Sequence, residues 1–390
     1  MSGVLSWLED LGGSVSQHSR TQSRKVQQRG RFRSVLIIAV VVVAVAVVGA
    51  VVVLDSLSVP GHTGRAVKKT SAAPRVTTKS TPTVPVSATP HCPLTDLPAP
   101  GGKVPQRPAL AIKVGNDPGA RPQSGLSKAD VVYEVQAEGG ITRFIAVFQC
   151  QSPAMVGPIR SLRWVDWHVV HQLGHPILVS AGGIIPDIQG VRAQSWLHFI
   201  DALAFSGAPF TRISSRVPPE NLYGSTSQIW SLVHATTPPP RLFDFSSSVP
   251  AGGSAVGTVH LPFSGLEDVS WAWNPSVNRF LRYYSGQPAR GNGGEQFSAT
   301  NVVVQFVNAP PGKYNESGPN SLGVHSQTVG KGPVWILRNG EIFKGTWVRQ
   351  SLAQTTSYYT PSGQQIPLAP GQTWVEVVPN WVKAQIVAPS

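Results

Sequence analysis

The chain has 390 residues, 41 % of them hydrophobic, with 32 basic and 19 acidic side chains and a formal net charge of +13. That length supports one large domain or two medium ones with real cores. The charge excludes less than it first suggests, because it is spread unevenly: six basic and two acidic residues lie in 1–54, five and one in 55–91, and 21 and 16 in 92–390. Most of the excess sits on the arms, whereas a nucleic-acid reader concentrates charge on its folded part with aromatics between, so no nucleic acid is expected as a partner.

From Val35 to Leu54 nothing is charged or strongly polar. At ~1.5 Å per residue such a run crosses the ~30 Å hydrocarbon layer, and it exceeds the ~7–15 residues of a signal-peptide core. The sequence therefore predicts a transmembrane helix that anchors the chain in the cell membrane. Arg20, Arg24, Lys25, Arg29, Arg31 and Arg33 precede it and only Arg65, Lys68 and Lys69 follow at comparable distance. The positive-inside rule then leaves the basic tail 1–34 in the cytoplasm and the rest outside, as a single-pass topology. Residues 55–91, rich in Pro, Ser, Thr, Ala and Val, cannot bury enough surface to offset chain entropy and read as a disordered tether.

Cys92 and Cys150 are the two cysteines. In an oxidising compartment they permit one disulfide, and two thiols that never meet are equally consistent with the sequence.

"NDPGARPQSGLSKAD" reads as an ordered loop, in which Arg121 can fork onto a carboxylate or a ligand phosphate. "ADVVYEVQAE" and "ITRFIAVFQ" are β-rich runs around Gly139-Gly140, a two-residue turn that fits a tight hairpin. In that register Glu138 pairs with Ile141, Gln136 with Arg143 and Glu134 with Ile145. Val131, Tyr133, Val135, Phe144, Ala146 and Phe148 then share the buried face, and Arg143 lies between Glu134 and Glu138 on the other. Four residues apart on one strand, the two glutamates are ~13 Å apart at ~3.3 Å per residue, beyond the ~5–9.5 Å of a glycosidase pair. A structural Glu–Arg–Glu cluster, a ligand-binding patch, and an acid or base with a distant partner stay open in that order.

"GPIRSLRWVDWHVVHQLG" places Leu162, Val165, Val169 and Leu173 on one helical face, with Ser161 as N-cap and Gly174 as stop. Arg160 and Arg163 at its start suit a salt bridge to the hairpin acids or a small anion site. His168, His171 and His175 approach zinc spacing, but His175 lies past the stop and no acid or cysteine completes the group, so no metal is expected. "HPILVSAGG" reads as a buried strand and "QSWLHFIDALAFSG" as a helix. The glycine loop between them lacks the lysine of a P-loop, no G-x-S-x-G elbow is present, and no cofactor is implied.

The small-residue stretch 245–257 reads as a linker between an α/β part, 92–244, and a mostly antiparallel β part, 258–390. The latter carries "VSWAWNPSVNRFLRYY", "NVVVQFVNA", "PVWILRNGEIFKGTWVR" and "TWVEVVP" between Asn-Pro, Asn-Gly and Pro-Gly turns. Trp271, Trp273, Tyr283, Tyr284, Trp335 and Trp347 can line a sugar cleft, although aromatics in strands are more often core. The expected fold class is α+β.

"ARPQSGLSKADVVYEVQAEGGITRFIAVFQ", "GPIRSLRWVDW", "PPENLYGS", "TVGKGPVWILRNGEIFKGTW" and "PLAPGQTWVEVVP" together resemble the YerB-like family of bacterial envelope proteins, a domain of unknown function with N- and C-terminal parts. The resemblance runs from about Pro93 to the end. It implies an extracytoplasmic protein, often a lipoprotein, with a mixed fold and no established activity, and it adds Asn221 and Tyr223 to Arg121, Glu134, Glu138, Arg143, Arg160 and Arg163 as ligand-binding candidates. Three departures stand out: an apolar span where a lipidated cysteine is often found, Asp96 where glycine is common, and Glu220 where "PHNLY" would place a histidine. The function expected is binding of a cell-wall polymer or an envelope protein at the seam between the two parts, with a wall-directed hydrolase using Glu134 or Glu138 as the alternative.

Overall fold

The computed structural model describes residues 89–389. The expected membrane span, the basic tail before it and the tether up to residue 88 lie outside the described residues. Among the described residues no helix is long and apolar enough to cross a membrane.

The centre is a large sheet. Its strands are β1 (Leu110–Gly115), β2 (Val131–Gln136), β3 (Thr142–Phe148), β4 (Ile177–Ser180), β5 (His198–Asp201), β6 (Asn301–Val307), β7 (Gly330–Arg338), β8 (Glu341–Arg349), β9 (Ser357–Tyr359) and β10 (Thr373–Pro379). Their spatial order is β9-β8-β7-β6-β10-β2-β3-β1-β4-β5. β10, from the end of the chain, lies between β6 and β2 and runs parallel to both. The sheet thus crosses the 245–257 stretch, whose Ser254–Ala255 itself pairs with β8. Since β1, β4 and β5 also run parallel, and β3 is antiparallel to both β1 and β2, the carboxyl ends of β1, β2, β4, β5, β6 and β10 fall on one edge.

Every residue of β1, β2, β3 and β10 is buried, the near-continuous burial expected of strands covered on both faces. One face packs Val132, Phe144, Val302 and Trp374 against Val259, Leu261, Val269, Trp271 and Phe280 of a second, antiparallel sheet. The other packs Tyr133, Val147 and Val377 against Leu162, Val165 and Val169 around helix α1 (Trp164–Val170). The fold is α+β, and its C-terminal part is mostly antiparallel, as the sequence implies.

The hairpin register differs from expectation by one residue. Ala137 donates to the Ile141 carbonyl at 2.9 Å around Glu138, Gly139 and Gly140, so the turn holds three residues. The two glycines have φ of 65° and 78°, a left-handed region open to glycine without penalty. Glu134 now pairs with Phe144, and Val135 with Arg143. A one-residue slip moves a whole strand's side chains to the other face. Glu134 and Arg143 are therefore on opposite faces, and the expected cluster joining both glutamates to Arg143 does not form.

The first helix begins at Trp164 rather than after Ser161: Arg163 is the N-cap, and its N–H donates to Asp166 Oδ2 at 2.8 Å. Gly174 ends the helical segment as expected. "QSWLHFIDALAFSG" is not a helix. Its His-Phe-Ile-Asp core is β5, which completes the outer edge of β4, where strand hydrogen bonds outweigh local helix preference. The crossover helix is instead α2 (Ile185–Arg192), begun by Pro186 in the first turn, where a missing N–H costs nothing.

Candidate functional site

Two buried polar networks and one open cleft hold the candidate chemistry. The first network lies between the sheets. Glu134 and Glu376 are Cα partners on adjacent parallel strands, and Arg282 of the second sheet donates to Glu134 at 2.5 Å and to Glu376 at 2.9 Å, all three side chains being fully buried. Thr142 and Asn116 donate to Glu134, and Trp271 Nε1 to Glu376 at 2.7 Å. Burial disfavours ionisation of both carboxyls, but Arg282 holds Glu134 below the usual range, while burial and the Glu134 charge push Glu376 well above it. The charge of one carboxyl thus opposes ionisation of the other. Arg121 pairs with Glu267, whose pKa burial raises to about 8 against the opposing Arg121 charge. Arg121 also lies 3.8 Å over the Tyr284 ring.

The second network lies at the carboxyl edge. Glu138, 2 % exposed, accepts from Arg163 at 2.5 and 2.6 Å and from Arg143 at 3.0 Å. Burial opposes its ionisation, yet the Arg163 hydrogen bonds and both guanidinium charges outweigh it and hold the pKa at about 2. Lys113 Nζ and Asp166 Oδ1 are 2.5 Å apart and fully buried. Glu316, from the hairpin Pro311–Asn315/Leu322–Val324, reaches to 3.2 Å from Arg163. Burial, followed by the Glu316 charge, raises the Asp187 pKa to about 7.

The remaining candidates separate. Arg160 pairs with Glu220 and Asp117 rather than with the hairpin acids. Asn221 accepts from Arg212 at 2.8 Å, and Tyr223 is buried against Gly157. His168 stacks on Trp164, whereas His171 stacks on Trp196, whose carbonyl His175 contacts. Among the described residues no group of His, Cys, Asp or Glu has metal-site geometry. Trp271 and Trp347 are core residues, so the six aromatics do not line a common cleft. Cys92 and Cys150 form a disulfide.

Sequence reasoning missed Lys113, Asp166, Asp187, Arg282, Glu267, Glu316 and Glu376. Glu376 carried a usable signal, a carboxylate inside the otherwise apolar "TWVEVV". Arg282 lies 148 residues from Glu134 in the chain, and local pattern cannot reveal such a pairing.

Among the open features is a cleft of about 480 Å³ at the other edge of the sheet, where the N-terminal segment meets the C-terminal one; a smaller one, of about 250 Å³, is lined by Arg160. Thr95, Lys128 and Asp130 line the larger cleft from one side, and Arg279, Thr300 and Gln372 from the other. Gln372 fastens this seam, its Nε2 donating to the carbonyls of Leu126 and Ala129 while its Oε1 accepts from Arg279. Gly371, at φ 143°, donates to the Thr95 carbonyl at 2.7 Å, and a Cβ there would come within 2.3 Å of Thr300 Oγ1. Only glycine fits so close an approach.

These features define an α+β protein in which two chain segments share one sheet and close their charged networks inside it. The chain belongs to the family described as "Protein of unknown function (DUF3048)": the N-terminal domain model matches residues 94–238 and the C-terminal domain model residues 259–375. It is 30 % identical over 296 residues to "Putative lipoprotein YerB" of Bacillus subtilis (strain 168), covering 73 % of this chain and 85 % of that protein. The crystal structure of the B. subtilis YerB protein matches with a TM-score of 0.64 at 26 % identity, covering 76 % of this chain and 99 % of that one.

Proposed function

We propose that the chain is a single-pass membrane protein of the cell envelope, with a cytoplasmic N-terminus, whose domain from residue 92 onward lies outside the membrane and binds a wall polymer in the seam cleft. The apolar span Val35–Leu54, its basic N-terminal flank and the tether support the topology, and the name of the B. subtilis relative supports an envelope location. The observation that carries the binding reading is the cleft itself: it is open, polar and built from both chain segments. The hydrolase reading has less support, because Glu134 and Glu138 are closed off from solvent and Glu138 is held ionised, so it has no proton to give at neutral pH. Full-length protein in detergent at micromolar concentration should co-sediment with isolated cell wall and be released by soluble wall polymer. Absence of retention in that assay contradicts the proposal.

A further inference from the structure

Arg279 is half-buried, and each of its hydrogen bonds ends on a neutral acceptor. Nε donates to Ser298 Oγ at 2.8 Å, Nη2 to the Ser298 carbonyl at 3.1 Å and to Gln372 Oε1 at 3.3 Å, and Nη1 to Thr300 Oγ1 at 3.4 Å. Among the described residues neither Arg279 nor the exposed Lys128 across the cleft forms an ion pair; Arg338 and Arg349 also lack one but are closed inside the fold, so what distinguishes Arg279 is that it lines the cleft. A partly desolvated cation without a counter-charge carries a cost that an incoming anion removes. Burial alone lowers the Arg279 pKa, the sign of a cation the fold does not compensate.

The acids near the cleft do not fill this role. Asp130 turns Oδ2 to the N–H groups of Gln149 and Cys150 at 2.5 and 3.0 Å, and Glu295 accepts from Ser127. Beside Asp130, the cleft is lined by the Arg279 guanidinium, whose Nη1 keeps one N–H uncommitted, the exposed Lys128 ammonium, and Thr95 and Thr300. A guanidinium N–H and a point cation lining one cleft suit a group with several acceptor oxygens.

Resting on the seam cleft as the binding site, we infer that its ligand is an oxyanion, a phosphate ester carried on the polymer, held by Arg279 and Lys128. The phosphate group docks as a diffusible anion; no bond forms or breaks.

Calorimetric titration of the full-length protein with inorganic phosphate, a glycerol-phosphate polymer, phosphatidylglycerol vesicles and a neutral glycan tests this. Phosphate and the polymer should both bind, the polymer more tightly. R279Q should weaken each by at least about tenfold, and K128Q, at an exposed position where folding is not at stake, by a smaller factor. K344Q, which removes the same charge from an exposed position of β8 outside the cleft, should bind as the parent does. Equal losses in K344Q and K128Q, or phosphate binding unchanged in R279Q, overturn the inference, as does binding of the neutral glycan alone, which leaves the wall-polymer proposal standing. Vesicle binding stronger than polymer binding overturns the polymer source. Arg279-dependent phosphate binding without retention on cell wall supports the oxyanion site and contradicts the wall-polymer proposal.

Discussion

Glu138 shows how a dense polar residue cluster can be structural. Its carboxylate satisfies Arg163 twice and Arg143 once inside a closed network. Replacing it with Gln leaves two buried guanidiniums short of a counter-charge, and breaking a buried pair this way costs ~3–5 kcal/mol. Urea unfolding of E138Q should show a loss of that order; an unchanged midpoint contradicts it. The raised carboxyls set a pH dependence. Glu267 near 8 and Asp187 near 7 keep protons in the folded state that the unfolded chain releases at ordinary carboxyl pKa values. Their stabilisation is complete below those ordinary values and is lost as pH rises to about 8. His168, held near 4 by burial, works in the opposite direction, but only up to its unfolded pKa near 6.5. The melting temperature should therefore fall between pH 6.5 and 8, and E267Q should flatten that slope. A melting temperature that rises across the window contradicts the assignment.

Among the elements, the β2–β3 hairpin decides which network each glutamate joins. The three-residue turn closes with Ala137 opposite Ile141, which sets Glu134 opposite Phe144 and on the face that meets Arg282. The Cys92–Cys150 disulfide joins positions 58 apart in sequence beside the seam, and a bridge of this kind contributes ~2–4 kcal/mol. C92S/C150S should unfold at correspondingly lower urea. Most of the central strands were legible in the sequence: β2, β3, β4, β6, β7, β8 and β10 lie in the apolar runs bounded by Gly, Pro and Asn, whereas β1 and β9 carried no signal that marked them. The hairpin register was not, because both faces of β2 and β3 are buried and alternation carries no preference for one face. β5 was misread as a helix because its pairing partner, β4, supplies what local sequence does not. The buried networks were only half legible, since Glu138 and Arg163 lie 25 residues apart while Arg282 and Glu376, which meet Glu134, come from the C-terminal half of the chain.

At the scale of the whole molecule, β10 makes one sheet of two sequence segments by pairing with β6 on one side and β2 on the other. Residues 89–244 expressed alone should therefore fail to unfold cooperatively, and a dispersed NMR spectrum from that fragment would contradict the shared sheet. The same architecture places the open cleft at the seam while enclosing the polar clusters that the sequence makes most conspicuous. The most direct test of that division is a map of backbone amide shifts in labelled protein titrated with a glycerol-phosphate polymer. Changes should centre on Thr95, Lys128, Asn278, Arg279 and Gln372. Changes centred instead on Glu138, Arg160 and Glu220, with those five unmoved, would place binding at the carboxyl edge and contradict the seam cleft as the working site.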